Sequence, residues 1–475
     1  MAKIPDNDTA VTRPSKGFFV NMLTRDISIN DAILDLIDNS LDGVRRLNSK
    51  LSKHYVKIEI SKNKFKMSDN CGGIPLDVAK QSAFAFGRPD GVGLTDSGTV
   101  GVYGIGMKRS ILKLGRTAVV ESRSFKTKKL KKKHDFSVAI TQDWLKNPDW
   151  IPLDISEIPQ DGERGTTIEV TNLNNTPAEI LSTRSAIKEL REIIEKRFAL
   201  ILDQGFRIFL KGPGYSEKES EIKSYGQFFE LLEKRGKQEI APFIVTGSAE
   251  DVEFEIYVGF IGNPARSQDD SEADVKADKV RSGWTVACND RIILWRDRSI
   301  LTSWGANSVG SYHSQYNSIA GLVLLYGKAN DLPWTTTKAG IDLSNQLYQK
   351  VLKVMAAATK ELTSFTNKVK KDRDGYSEII EKAVAVGLTD LRKKSKKLTE
   401  DKENKSSFSE LPNSFVQIIS TPHLDVKKKD SGIRISYKVP KEDFRIVSDY
   451  LELKTASVVG RETFDLVLEE ALEDE

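Results

Sequence analysis

The chain has 475 residues, with 72 lysines and arginines against 68 aspartates and glutamates and 39% apolar side chains. That length supports two to four domains with substantial cores, and a net charge of +4 is too small to argue for nucleic acid. No apolar run approaches the ~20 residues needed to cross a bilayer, and Cys71 and Cys288 are too few for a disulfide framework or a metal cluster. The opening residues, Met-Ala-Lys-Ile-Pro-Asp-Asn-Asp, hold no signal-peptide core, so the expected location is the cytoplasm. His54, His134, His313 and His423 show neither ligand spacing nor a phospho-acceptor box.

The first predicted helix begins after Ser28, an N-cap with Asp31 three residues on, an imperfect capping box. At about 100° per residue, Ile33, Leu36, Ile37, Leu41, Val44 and Leu47 share one arc, with Asp31, Asp35, Asp38, Asn39 and Asp42 opposite. Carboxylates without an interleaved cation repel one another. The stripe is therefore either a solvated face or one wall of a site. Asp35 and Asn39 are one turn apart and can converge on one ion or water.

Two strand-like runs follow. Val56, Ile58 and Ile60 alternate with polar residues, as do Phe65 and Met67, which ends the second run at Asp69. In Asp69-Asn-Cys-Gly-Gly73 a strand-end carboxylate can accept from an exocyclic amine, and paired glycines let a flat base approach the backbone. An ordinary Asp-Asn turn is the alternative.

Glycines recur at 87, 91, 93, 98, 101, 104 and 106, and then Met107 to Leu114 reads as a helix. A glycine loop entering a helix N-terminus offers N–H donors and positive dipole to phosphate, though a mobile surface loop has the same composition. Gly101-x-x-Gly104-x-Gly106 is neither the P-loop nor the dinucleotide fingerprint. Lys126 to Lys133 carries six lysines that could meet a phosphate backbone, yet it joins strand-like stretches 117–124 and 135–140 as a solvated hairpin tip would, which is the favoured reading. Gly165-Thr-Thr167 opens another strand with hydroxyls at its start.

Together, Asp35 to Asp42, Asp69 to Gly73, Gly101 to Lys108 and Gly165 to Thr167 resemble, in order and spacing, the motifs of the GHKL ATPases (gyrase, heat-shock chaperone, histidine kinase, MutL). The resemblance covers about residues 15 to 175 and looks closest to the MutL and MORC branches and the heat-shock ninety chaperones. It implies a pocket for ATP and magnesium in a two-layer (Bergerat) α/β sandwich, a mixed sheet backed by helices. By the resemblance Asn39 is the magnesium ligand, Asp69 the adenine-reading carboxylate and Gly73 the glycine beside the base. Gly101, Gly104 and Gly106 belong to the lid, Lys108 lies just inside the phosphate-facing helix, and Thr167 holds a water beside the adenine. The family's general base, a glutamate, is matched by Asp35. Aspartate is one methylene shorter, which implies slow hydrolysis.

Beyond residue 175, Ala186 to Ile201 reads as a helix, Phe206 to Leu210 and Phe254 to Phe260 as strands, and Asn263 to Arg281 as a loop. Trp284 to Leu294 resembles the Asn-x-Arg strand of the ribosomal-protein-like transducer that follows the ATPase domain in MutL, MORC and gyrase, with Asn289 and Arg291 in structural roles. Pro333 to Lys338 resembles the loop by which that domain returns a lysine to the γ-phosphate, so Lys338 is a second candidate catalytic residue beside Asp35; a surface lysine is the alternative. Spacing is helical from Leu343 to about Lys397, with a second helix from Tyr376 through Ala385. Lys393 to Lys405 reads as a charged linker or exposed helix end. A small module follows, with an alternating strand at Ile433 to Val439 and helices at 442–453 and 462–475.

The expected organisation is an ATPase domain at 1–175, a transducer-like α/β domain at 176–342, a helical region and linker at 343–405, and a C-terminal α/β module at 406–475. The expected function is ATP binding with slow magnesium-dependent hydrolysis that drives a conformational change and, by the resemblance, ATP-driven homodimerisation. The alternative is a nucleotide-gated clamp or scaffold for DNA or a protein partner, including a bacterial defence system, in which hydrolysis is incidental.

Overall fold

The computed structural model describes residues 15–86, 100, 104–124, 135–226, 228–236, 239–262, 264, 279–370, 383–400, 410–411, 413–421 and 435–473. Gly101 and the glycines at 87, 91, 93 and 98, the lysine run 126–133, and most of the expected loop 263–281 lie outside them. Two compact units separate at His423 and Leu424.

In the first unit, α1 (Lys16–Arg25) precedes α2 (Ile29–Arg46). Ser28 caps α2 as expected: its Oγ accepts from the Asp31 N–H and donates to the Asp31 carboxylate. Then come β1 (Tyr55–Ser61), β2 (Lys64–Asp69), the short α3 (Leu76–Val78) and α4 (Gly106–Leu114). They are followed by β3 (Gly115–Arg123), β4 (Phe136–Ile140), α5 (Gln142–Lys146), β5 (Ile155–Glu157) and β6 (Gly165–Leu173). Next are α6 (Asn175–Ile180), α7 (Arg184–Arg197), α8 (Ala199–Asp203), β7 (Arg207–Lys211) and β8 (Glu221–Ile222). The helix expected over 186–201 is thus interrupted at Phe198.

These strands form one eight-stranded sheet in the order β5-β4-β3-β6-β2-β1-β7-β8. Its pairings are antiparallel except β1 with β7, which makes the sheet mixed. The apolar arc of α2 packs into a core with Ile58, Met67, Ile168, Leu190 and Ile194. Each such aliphatic side chain contributes about 1.5–3 kcal/mol by leaving water. This burial fixes the rotation of α2 and therefore where its acidic stripe points.

A second sheet has the order β13-β12-β14-β11-β10-β16. Its strands are β10 (Phe243–Ala249), β11 (Val252–Phe260), β12 (Gly283–Cys288), β13 (Arg291–Asp297), β14 (Ile319–Tyr326) and β16 (Ser414–Gln417). The helix Gln346–Val369 covers one face, where Trp284 donates its indole N–H to Thr359 at 3.1 Å. On the other face Leu322 and Leu324 pack with Leu200 of α8 and Leu391 of the helix Leu388–Glu400. A two-stranded ribbon pairs β9 (Glu230–Glu233) with β15 (Val384–Gly387).

Three expectations change. Trp284 to Leu294 is two strands of a hairpin, turning at Asn289 and Asp290 with φ of +47° and +62°. Val384 and Ala385, expected to close a helix, lie on β15, because pairing with Leu232 and Glu233 gives that apolar run a ladder to join. Of the strand expected at 433–439, the described residues from 435 on carry no strand. Among its described residues the second unit has the helices Lys441–Tyr450 and Ala456–Glu473.

Candidate nucleotide site

The acidic stripe of α2 is not a solvated face. Asp35, Asp38 and Asp42 are 3%, 1% and 5% exposed. Each meets a positive or N–H partner, which is what makes such burial tolerable. Asp35 Oδ2 accepts from Arg109 Nη2 on α4 at 2.5 Å, and its Oδ1 lies 3.4 Å from Lys338 Nζ. Asp38 is paired with Lys338 through Oδ2 at 3.2 Å and with Arg291 Nε through Oδ1 at 3.2 Å. Asp42 accepts from the Val100 N–H at 2.8 Å and faces Arg45 at 3.2 Å.

Lys338 reaches α2 from the second sheet's side. Its loop folds back through hydrogen bonds from Thr335 N–H to Gly340 C=O and from Lys338 N–H to Thr335 C=O, and Lys338 has a φ of +54°. A left-handed backbone at a lysine is strained and is kept where the surroundings fix it. Burial alone would lower the Lys338 pKa, but Asp38, Asp35 and Asp42 outweigh burial and raise it above the ordinary lysine value. The β12–β13 turn braces the same helix: Arg45 donates to the Asn289 carbonyl at 2.6 Å, and the Asn289 amide is locked against Gly327. Arg291 stacks on Phe198, 4.4 Å from the ring centre.

Asp69 sits differently. Its Oδ2 accepts from Ser40 Oγ at 2.7 Å, and its Oδ1 from the backbone N–H groups of Cys71 at 2.8 Å and Thr166 at 3.2 Å. Burial raises its pKa above the usual carboxylate range, with those three hydrogen bonds and Arg46 pulling the other way. The backbone closes tightly here: a Cβ on Gly165 would lie 1.8 Å from the Asp69 carbonyl oxygen, and one on Gly73, whose φ is +70°, 2.6 Å from the Arg123 carbonyl. Thr167 lies on β6 opposite Ser68.

Gly104 has a φ of +66°, and Gly106 opens α4 directly against Asp35, since a Cβ there would be 3.6 Å from Oδ2. Lys108 is buried and its ammonium donates to the carbonyls of Ala83 and Gly104. Desolvation pushes its pKa down to about 8. A separate aromatic cavity of about 650 Å³, walled by Phe19, Phe86, Trp144 and Trp150, includes none of the motif residues.

The structure thus brings Asp35, Asp38, Asn39, Gly106 and Lys338 around α2, and sets Asp69, Gly73 and Thr167 at the adjoining strand ends. Sequence reasoning missed Arg109, Ser40 and Thr166. Ser40 and Thr166 border Asn39 and Thr167, whereas Arg109 gave no signal because its partner is 74 residues away.

Asn39 is suited to a divalent cation. Its Nδ2 is buried without a partner, and turning the amide by 180° puts a carbonyl oxygen in that place. One protein oxygen suffices for magnesium, which keeps several waters and takes its other ligands from substrate phosphates. Among the described residues there is no cluster of three acidic, histidine or cysteine side chains that would hold an ion alone. Nor is any helix among them long and apolar enough to cross a membrane.

No curated protein matches the chain. Residues 27–163 match the family model for histidine kinase-, DNA gyrase B-, and HSP90-like ATPases, a stretch that holds three of the four motifs and stops two residues before Gly165. That match supports a GHKL-type ATPase domain in this part of the chain.

Proposed function

We propose that the chain binds Mg-ATP between α2, the end of β2 and the N-terminus of α4, and hydrolyses it slowly to switch conformation. The observation that carries this reading is Asp35, buried against the first turn of α4 with one oxygen facing Lys338. Asp69 reads the adenine: a carboxylate has about four lone-pair sites, three donors use it here, and an exocyclic amine takes the remainder. Gly73 leaves room beside the base, and Thr167 holds a water there. Gly104 and Gly106 form the end of the lid, with α4 offering its N–H groups and dipole to phosphate. Lys108, now held on two carbonyls, ties the lid's end to Ala83.

Asn39 would hold magnesium, which when bound offsets charge on the phosphates. Asp35 orients a water whose oxygen bonds to the γ-phosphorus as the bond to the bridging oxygen breaks, and Asp35 Oδ1 accepts the water's proton. Such a base contributes ~10²- to 10⁴-fold. Lys338 contacts the third phosphate and leaves Asp35 to do so. This couples the ATPase domain, 1–175, to a transducer-like domain that begins at 176. ATP-driven homodimerisation is the expected output.

One observation favours a second reading. Arg109 and Lys338 occupy both oxygens of Asp35, which keeps them from a water and suits a clamp on DNA or a protein in which bound ATP is the signal. The test separates the two. Asp35→Asn should retain Mg-ATP affinity and lose phosphate release, while Asn39→Ala should lose both. Wild-type protein releasing no phosphate over hours, with or without DNA, would leave the clamp.

A further inference from the structure

Arg109 lies on the third residue after Gly106, on the helix that opens against the candidate phosphate site, and its partner is the candidate base. Both side chains are almost fully enclosed, at 9% and 4% exposed. The bond runs from one nitrogen only, Nη2 to Oδ2, and Arg109 Nε has no partner. Asp35 therefore has its two oxygens assigned to two elements: Oδ2 is fixed by α4, and Oδ1 faces the Lys338 loop.

A buried carboxylate is free to rotate about its last bond unless one oxygen is pinned. A charge-assisted hydrogen bond of 2.5 Å pins it. With Oδ2 fixed beside Gly106 and Arg109, the departure of Lys338 frees Oδ1 alone, in one orientation. The short aspartate tolerates no slack here, since it has one fewer rotatable bond than glutamate with which to recover a lost alignment.

We propose that Arg109 is a positioning residue for hydrolysis: it holds Asp35 so that Oδ1 is the oxygen that takes the proton from the attacking water. This rests on the reading of Asp35 as the base, and it assigns Arg109 no contact with ATP. Misaligning a reacting group by about 1 Å costs on the order of 100-fold in rate. Removing Arg109 should therefore lower turnover and leave nucleotide affinity alone.

The experiment is single-turnover phosphate release by the full chain with Mg-ATP, alongside calorimetric ATP affinity, for wild type, Arg109→Met, Arg109→Lys, Asp35→Asn and the double variant Arg109→Met/Asp35→Asn. Arg109→Met should slow release by ~10- to 100-fold with ATP affinity within about threefold of wild type, and Arg109→Lys, which offers one N–H to the same oxygen, should recover most of the rate. In the Asp35→Asn background, Arg109→Met should change neither the residual rate nor the affinity, because Arg109 acts only through Asp35. If Arg109→Met does not fold, Arg109→Gln, which drops the charge and keeps a shorter N–H donor, takes its place with the same expected loss of rate at retained affinity. A folded Arg109→Met protein releasing phosphate at the wild-type rate overturns the proposal. So does a loss of affinity equal to the loss of rate, in the single or the double variant. Asp35→Asn turning over like wild type would instead remove the reading of Asp35 as base.

Discussion

Asp35 and Asp69 are carboxylates of one domain, 34 positions apart in the sequence, and they are satisfied by opposite means. Asp35 is answered by charge, Arg109 on one oxygen and Lys338 on the other. Asp69 is answered by neutral donors, a serine hydroxyl and two backbone N–H groups. A charge held by charges can be released when a competing anion arrives. A charge held by backbone does not move, and so it can serve as a fixed reference for recognising a base. On the proposed reading, the difference would separate a part that responds to phosphate from a part that identifies the nucleotide.

The contrast should show first in stability without nucleotide. Asp35→Asn leaves Arg109 and Lys338 buried and under-compensated, and breaking a buried pair from one side costs about 3–5 kcal/mol. Asp69→Asn disturbs neutral hydrogen bonds, for which the cost is about 1–3 kcal/mol. Denaturant titration checks the order, and equal losses would erase the distinction. The same Asp69→Asn protein should bind ATP more weakly, since an amide replaces an acceptor with a donor. Unchanged calorimetric affinity in the folded variant would remove the adenine assignment.

A smaller effect belongs to Lys108. Its folded pKa is about 8, below the unfolded value of 10.5. Between those values the unfolded chain binds the extra proton, so the contribution of Lys108 to stability rises as pH increases through that window and is unfavourable below it. A shift of this size corresponds to at most ~3 kcal/mol. Lys108→Met should flatten the stability profile between pH 8 and 10, and denaturant titrations across that range measure it. A variant whose profile still climbs like wild type would show that the ammonium is not desolvated.

Much of this was legible in the sequence. The two faces of α2, its Ser28 cap, the strand ending at Asp69 and the helix after Gly106 all follow from period and local chemistry. What held the acidic stripe did not. Lys338 is 303 residues from Asp35, and its part, like the structural role expected of Arg291, was readable only through a resemblance, while Arg109 gave no signal. Long-range pairing also explains the error at Val384: a four-residue apolar run has no period of its own, and its state was set by β9. The turn at Asn289 and Asp290 needed positive φ, which asparagine and aspartate tolerate without announcing it.

The central claim is that the third phosphate draws Lys338 away from Asp35. A contact that ADP lacks is what lets ATP shift a conformational equilibrium. Small-angle scattering or sedimentation of the full chain with a non-hydrolysable ATP analogue, with ADP and without nucleotide tests it directly, in wild type and in Lys338→Ala. The analogue should compact or dimerise the wild type, ADP should not, and Lys338→Ala should bind the analogue without responding. A Lys338→Ala protein responding like wild type would contradict the claim.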